Sequence, residues 1–269
     1  ILGLPLSDVP LFTPRVYAVA QALTPFYPHE KHPVIETAAA ELWAYVADAL
    51  NRRIAAPRDD LLSELVAVWR NGSSLSFDEL VVQVIGVIIG GSDTTRGAFA
   101  MLVALLLQHP RQWVELRRDA SLVPGAVSEG LRYEPSVGGV VRFAIADIEV
   151  EGVAVPAGTM LRLSSMSAMR DDTLYGTPLR FDITRTDHPR LHMAFGHGPH
   201  RCLGEMLARV EMEEALTALL DEAPELELLT TPTLSGYGGI RQIHRMMTLL
   251  PADRIAFSEQ RAADQHRYV

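Results

Sequence analysis

The ten residues FGHGPHRCLG (195–204) contain Cys202, the only cysteine of this 269-residue chain. Three glycines and two histidines surround the thiol, and the glycines allow positive φ angles and close backbone approach to a ligand. The apolar periodicity that follows predicts a helix over residues 202–224, so the thiol lies where a loop runs into a helix. Unpaired N–H groups and the helix dipole favour a thiolate there. This geometry suits a sulfur ligand beneath a flat cofactor.

Two other interpretations of this loop stay open from the residues alone. An isolated cysteine is commonly a buried free thiol that packs as a small apolar side chain. A zinc site is the second alternative, although the spacing of its candidate ligands does not match the usual paired pattern. Those candidate ligands are His192, His197, His200 and Cys202.

The composition limits the class of protein. Hydrophobic residues make up 48% of the chain and charged residues 21%, which is enough for one large core or two modest ones. A single cysteine excludes intramolecular disulfides and multi-cysteine metal sites, and it suits the reducing cytoplasm, where we expect the protein. The net charge of −9 argues against a general nucleic-acid or anionic-membrane surface. No signal peptide is expected from the first residues, ILGLPLSDVP.

Hydrophobic periodicity predicts a mainly α chain with a minor β portion. We expect a single domain over residues 1–269, with a frayed tail at 258–269. Residues 148–165 are expected to form a hairpin or two linked strands around the turn at Pro156–Gly158, and residues 226–251 to form two strands joined by a glycine-rich turn. Besides the long apolar stretch described next, helices are predicted over residues 13–27, 32–54, 59–72, 109–119, 123–134 and 202–224.

A second motif interrupts the longest apolar stretch, residues 80–108. The residues GGSDTTR (90–96) place an acid and a base in its middle, which favours a buried central helix over a membrane span. Ser76, three residues before Glu79, predicts a capping box at the start of this helix. Glycine and threonine are poor helix formers, so the helix can open a groove here. Two adjacent glycines alone are also compatible with close packing of two helices.

A third motif pairs an acid with a base on the predicted helix 123–134. Glu129 and Arg132 are three residues apart. A pair with this spacing is usually only a surface contact when it occurs alone.

The three motifs together resemble the cytochrome P450 family in its bacterial soluble form. The loop 195–204 matches the heme-binding pattern of Phe, Gly, Gly, a basic residue, Cys and Gly at fixed offsets. The helix break matches the pattern small-Gly-x-acid-Thr, and the motifs occur in the family order. The resemblance covers nearly the whole chain and implies the cytochrome P450 fold. Because the chain begins about where the middle of a full-length member begins, we expect an N-terminally truncated version of that fold.

The resemblance also implies roles for individual residues. Cys202 is the axial ligand of a heme b iron, and Phe195 packs near its sulfur. His200 and Arg142 pair with the heme propionates. The full set of cofactor-binding positions implied in this way is Cys202, His200, Arg142, Phe195, Gly196, Gly204 and Gly91.

The helix break carries the implied catalytic residues. Thr94 hydrogen-bonds activated oxygen in the groove, and Asp93 relays protons from solvent. The candidate substrate-lining positions are Ile89, Gly90, Thr94, residues 137–140 and the turn at residues 236–239.

A structural role is implied for the acid–base pair. In the family Glu129 and Arg132 are buried and braced by a second arginine from the coil before the cysteine loop. Arg180 and Arg185 both qualify by position, and the choice between them stays open. The expected role of this cluster is to lock the coil that holds the cysteine loop.

The activity implied by the resemblance is heme-thiolate monooxygenation of an apolar organic substrate, with dioxygen and electrons from a ferredoxin. Arg201 and Arg209 are candidates for a basic patch that docks this donor. The alternative is a truncated, heme-free homologue with a binding or structural role. Apolar faces left without the N-terminal part predict self-association, unless a separate chain supplies that part.

Overall fold

The computed structural model describes residues 1–23, 29–189, 192–236 and 240–250. The predicted class, mainly helical with small sheets, is confirmed in these residues. The chain divides into two compact units, Ile1–Asp93 and Thr94–Val269, here called the N-terminal and C-terminal units. No helix among the described residues is long and apolar enough to cross a membrane.

The N-terminal unit contains four helices in its described part. Apolar side chains of α2, such as Leu42 and Leu50, pack in one core with Val81 and Val84 of α4. Ser76 caps α4 and forms the predicted capping box with Glu79. The helices are α1 (Val9–Ala20), α2 (His32–Ala55), α3 (Leu61–Arg70) and α4 (Phe77–Ser92).

The helix predicted over residues 13–27 has different limits in the structure. It begins at Val9, because a short 3₁₀ turn leads into it and Pro10 occupies its first turn, where proline is well tolerated. It ends at Ala20. The last residues of the predicted span lie outside the described residues.

The C-terminal unit contains the remaining helices and all the described strands. Its core packs Leu102 and Leu106 of α5 against Val127 of α7 and Leu216 of α9, with Ile183 from the intervening coil. The helices are α5 (Thr94–Gln108), α6 (Pro110–Arg118), α7 (Val123–Tyr133), α8 (Ser165–Ala168) and α9 (Glu205–Glu222).

The strands form four two-stranded antiparallel sheets. The pairs are β1 (Val140–Phe143) with β4 (Met160–Leu163), β2 (Ile148–Val150) with β3 (Val153–Val155), β5 (Glu227–Leu228) with β8 (Thr248–Leu249), and β6 (Leu234–Ser235) with β7 (Gln242–Ile243).

The hairpin is displaced from its predicted turn. β2 and β3 are joined at Glu151–Gly152, where both residues have positive φ (50° and 78°), as a two-residue hairpin turn requires. The turn at Pro156–Gly158 instead leads to β4, which pairs with β1 so that Val140 lies opposite Leu163. Alternation identifies strands but not their partners, which explains the difference.

The C-terminal strands also differ from expectation. The two strands predicted over residues 226–251 are two strand pairs, with the β6–β7 pair lying between β5 and β8 in the sequence. Residues 237–239 of the predicted glycine-rich turn lie outside the described residues.

Candidate functional site

A buried carboxylate on α7 organises the coil that precedes the cysteine loop. Glu129 accepts two hydrogen bonds from Arg132, from Nε (2.7 Å) and Nη2 (2.9 Å), and both side chains are completely buried. Arg185 Nε also lies 3.1 Å from Glu129 Oε2, and the backbone N–H of Asp182 donates to Oε1 at 2.8 Å. The carboxylate therefore has two cationic partners, which offset its removal from water.

The structure decides between the two arginines that the sequence left open. Arg185 contacts Glu129, while the side chain of Arg180 is 71% exposed and approaches only Asp182. Arg180 takes part through its backbone, because its carbonyl accepts hydrogen bonds from Arg132 and Arg185. Sequence position favoured neither, since the two lie five residues apart in the same coil.

Arg132 has donors left over after binding Glu129, and backbone carbonyls of the coil accept from them. Its Nη1 donates to the carbonyls of Met169 (2.9 Å) and Pro178 (2.8 Å). The contribution of Met169 was not anticipated, and its side chain is fully buried beside Tyr175. One guanidinium therefore connects α7 to distant points of the coil.

The cysteine loop has the backbone geometry that its glycines predict at two positions. Gly196 and Gly198 have φ angles of 74° and 80°, and a Cβ built at either would meet no atom within 4 Å among the residues that the structure describes. The backbone N–H of Cys202 donates to the carbonyl of Phe195 at 2.9 Å, which closes the loop. The thiol itself is exposed, so the structure does not support the buried-thiol alternative.

Three details of the loop differ from expectation. Helix α9 begins at Glu205, so Cys202 precedes the helix rather than starting it. Gly204 has a negative φ of −88° and serves as the N-terminal cap residue of α9. A Cβ added at Gly204 would lie 3.9 Å from the sulfur of Cys202, an ordinary van der Waals distance, so the approach to the thiol does not itself require glycine here.

Two arginines expected at a docking surface hold the loop instead. Arg201 Nη1 donates to the carbonyls of Gly196 (2.6 Å) and His192 (3.3 Å), and its Nη2 pairs closely with Glu205. Arg209 pairs with Glu205 at 3.5 Å. The two arginine side chains are only 20% and 19% exposed. They therefore do not form a free basic patch in this structure.

A buried histidine, His192, and a partly buried one, His188, lie beside the Glu129 cluster. The ring centroids of His188 and His192 are 5.5 Å apart, and His188 Nε2 lies 3.8 Å from Glu129 Oε2. Burial, helped by the nearby Arg209 and His188, lowers the pKa of His192 to about 3. Burial also lowers the pKa of His188, against the opposing effect of Glu129. Both rings are therefore held neutral at physiological pH.

The helix break contains the expected interruption. α4 ends at Ser92 and α5 begins at Thr94, with Asp93 between them. The hydroxyl of Ser92 donates to the carbonyl of Ile88 at 2.6 Å, a bond back to the preceding turn that sequence inspection had not assigned. A Cβ built at Gly90 or Gly91 would meet no atom of the described residues within 4 Å.

Arg142 and His200, the two predicted propionate partners, are exposed residues of the C-terminal unit. Arg142 lies on β1, where its Nη1 donates to the carbonyl of Val141, and His200 lies in the loop two residues before Cys202. In the part of the chain that the structure describes, no direct contact joins Arg142, His200 and Cys202 to one another. The guanidinium of Arg142 and the imidazole of His200 are exposed and accessible to a ligand.

These residues fit a heme better than a bare metal ion. An exposed thiol supplies a soft iron ligand, Arg142 and His200 suit carboxylates, and the exposed Leu203 offers apolar surface next to the thiol. Zinc finds no support, because the described residues contain no group of three His, Cys, Asp or Glu side chains placed to hold a metal. His192, one of the candidate zinc ligands, is also buried.

Comparisons with known proteins agree with this chemistry. Residues 33–223 match the family described as Cytochrome P450. The chain is 44% identical over 254 residues to the plant-inducible Cytochrome P450-pinF1 of Rhizobium radiobacter, covering 94% of this chain and 60% of that protein. It is 39% identical over 234 residues to Nocardicin C N-oxygenase of Nocardia uniformis subsp. tsuyamanensis, covering 86% and 57%. The chain thus spans about 60% of the length of these relatives.

A solved structure shows the same fold. The crystal structure of Mycobacterium smegmatis CYP164A2 with econazole bound superposes with a TM-score of 0.85 at 33% sequence identity. The match covers 93% of this chain and 63% of that one.

Removing Arg132 should destabilise the C-terminal unit strongly. Arg132→Ala leaves the buried Glu129 carboxylate with less compensation, so we expect a loss of about 3–5 kcal/mol in the free energy of unfolding. Arg180→Ala removes an exposed side chain from the same coil and should cost less than ~0.5 kcal/mol. Urea denaturation followed by circular dichroism measures both changes. Equal losses in the two variants would contradict the assignment of Arg132.

The buried histidines should make the protein sensitive to acid above the range where carboxylates titrate. The folded-state pKa of His192 lies below its ordinary value, so the unfolded chain takes up a proton first as the pH falls below about 6.5. The unfolding free energy should then fall by about 1.4 kcal/mol per pH unit on account of His192.

Replacement variants separate this effect from general acid sensitivity. His192→Phe should reduce the slope between pH 6.5 and 4.5 in urea titrations. His197→Gln, at an exposed position of the same loop, should leave the slope unchanged. An unchanged slope in His192→Phe would contradict the prediction.

Proposed function

We propose a function on one premise: this chain belongs to the cytochrome P450 family. The proposed activity is heme-thiolate monooxygenation. One atom of dioxygen enters a C–H bond of an apolar organic substrate, and the other leaves as water with two electrons and two protons. The observation that carries the proposal is the exposed thiol of Cys202, in a loop closed by its own N–H bond to Phe195.

The proposed cofactor is heme b, held by residues of the C-terminal unit. A heme iron with a thiolate ligand supplies the activation of dioxygen. Cys202 provides the thiolate, and Arg142 and His200 would bind the propionate carboxylates. Gly196 and Gly198 carry no side chains, and the space beside each is open among the described residues, which would allow a flat ring to approach the loop.

The helix break is the proposed route for protons. Gly90 and Gly91 leave open space on α4 among the described residues. The Ser92 hydroxyl donates a hydrogen bond to the carbonyl of Ile88, in the turn before the break. The hydroxyl of Thr94 and the carboxyl of Asp93 are the groups that would hold and pass protons at this point. Gly91 is proposed to leave room for the cofactor or oxygen.

The electron donor is proposed to be a separate ferredoxin-type protein. With one cysteine, the chain has no cysteine set for its own iron–sulfur cluster. Because Arg201 and Arg209 are paired with Glu205, we propose that the docking surface uses other residues. The cytoplasmic location remains a prediction from the single-cysteine composition.

Self-association of this chain is a further part of the proposal. Four apolar residues at helical spacing, at and just before the start of α9, are exposed: Leu203, Met206, Leu207 and Val210. The first two are 91% and 71% exposed. A continuous apolar stripe of this kind favours contact with a second apolar surface.

A carbon monoxide difference spectrum tests heme ligation. The full chain reconstituted with heme and reduced should give the red-shifted Soret band of a thiolate ligand. Cys202→Ala should lose the band, while His197→Gln, in the same loop, should keep it. Failure of the chain to take up heme would favour the heme-free binding role instead.

Titration with econazole adds a second observation on the same preparation. This compound is bound in the similar Mycobacterium smegmatis structure. An azole nitrogen that ligates the iron should shift the Soret band of the heme-loaded chain without any turnover. A chain that keeps the thiolate band but never responds to econazole would contradict an open ligand position.

Light scattering after size exclusion tests self-association. We expect a dimer or larger species that Met206→Glu dissociates, because a carboxylate in an apolar contact is costly. Val68→Glu, at an exposed apolar position of α3, is the matched control and should leave the species intact. A monodisperse monomer of the unmodified chain would contradict this part of the proposal.

A further inference from the structure

Arg209 contacts three separate elements around the cysteine loop. Its Nη1 donates to the hydroxyl of Ser128 on α7 at 3.0 Å. Its guanidinium carbon lies 5.1 Å from the ring centroid of Phe195, within the range of a cation–π interaction. The ion pair with Glu205 on its own helix completes the set. The guanidinium thus links α7, α9 and the first residue of the loop.

Glu205 extends this cluster to the other side of the loop. The same carboxylate pairs with Arg201, which binds the carbonyls of Gly196 and His192. The three charged side chains are each about four-fifths buried. We call Arg201, Glu205 and Arg209 the loop clamp.

The position of Phe195 makes the clamp relevant to the thiol. The carbonyl of Phe195 accepts the N–H of Cys202, and its ring is the surface on which Arg209 rests. Holding this ring restrains the backbone of Phe195. The carbonyl of Phe195 in turn restrains the backbone amide of Cys202 through their hydrogen bond. The cation is also close enough to His192 to lower the pKa of that histidine, which is consistent with a weakly screened charge.

An ion pair on the surface of one helix would not order the cysteine loop in this way. Pairs between residues four apart on a helix contribute only ~0.3–0.5 kcal/mol when exposed. Arg209 is different because its contacts to Ser128 and Phe195 reach across the fold. An exposed pair could be lost without any consequence for the loop, whereas loss of Arg209 removes the contacts of its guanidinium with two other elements.

We propose that Arg209 is a positioning residue for Cys202: it holds the Phe195 ring and keeps a positive charge near the thiolate. The part of this inference that concerns the thiolate rests on the proposed heme function. The part that concerns loop order does not. Loss of Arg209 therefore has two separable consequences, a looser loop in the heme-free chain and a lower reduction potential in the loaded one.

The first experiment uses the heme-free full chain, so it does not depend on heme binding. Hydrogen exchange of the Cys202 amide, measured by mass spectrometry with residue-level fragmentation, should be roughly tenfold faster in Arg209→Gln than in the unmodified chain. Arg118→Gln, at an exposed position at the end of α6, is the matched control and should show no change. An increase of less than about twofold in Arg209→Gln would overturn the proposal.

Milder variants keep this test decisive if Arg209→Gln does not fold. Ser128→Ala removes one partner of the guanidinium and should speed exchange of the Cys202 amide by a smaller factor. Arg209→Lys keeps the charge but loses the planar group and should give an intermediate rate. Protection equal to that of the unmodified chain in both variants would overturn the positioning role.

The second experiment measures the reduction potential of the heme-loaded chain. A nearby cation stabilises the more negative reduced state, so Arg209→Gln should have a lower potential and Arg209→Lys a potential close to that of the unmodified chain. A merely structural role would shift the potential of Arg209→Lys as well, because that variant also loses the planar contacts that order the loop. If Arg209→Gln loosens the loop but leaves the potential unchanged, the electrostatic part of the inference is wrong.

Discussion

The buried carboxylate of Glu129 is the constraint on which the cysteine-bearing unit depends. A charge removed from water is tolerated only when opposite charges and hydrogen bonds compensate it. Arg132 and Arg185 provide that compensation, and their remaining donors must then find acceptors of their own. The acceptors are carbonyls of the coil between α8 and the cysteine loop. The ion pairs that compensate Glu129 thereby fix the backbone path of the long coil between α8 and the cysteine loop.

Two neighbouring residues of α7 anchor both sides of the proposed heme site. Glu129 holds the coil that leads into the loop, and Ser128 receives Arg209 from the helix that leaves it. The loop is therefore supported on both sides by one buried helix. This arrangement explains how a stretch rich in glycine can present an exposed thiol in a defined position. A thiolate ligand requires that definition, because the geometry at sulfur controls the bond to iron.

Much of the fold was accessible from the sequence because helix periodicity and capping are local properties. α2, α6 and α7 lie close to their predicted limits, and the helix break falls at the predicted residues. The strand partners of β2 and β4 were not accessible, because alternation does not specify which strands pair. The sequence also left Arg180 and Arg185 as alternatives, because both have the right charge and a similar position. Only the backbone path of the folded coil turns the side chain of Arg185 inward.

The sequence by itself determined the family, because the residue types and spacings of the three motifs are sufficient to recognise it. It also determined the helical class, since periodicity is visible without tertiary contacts. Only the tertiary structure decided which charges are buried. Arg201 and Arg209 resemble surface charges in the sequence, yet both are about four-fifths buried and pair with Glu205 at the start of α9. Ser128 of α7 and the ring of Phe195 contact Arg209. Burial depends on what packs against a residue, and no local pattern contains that information.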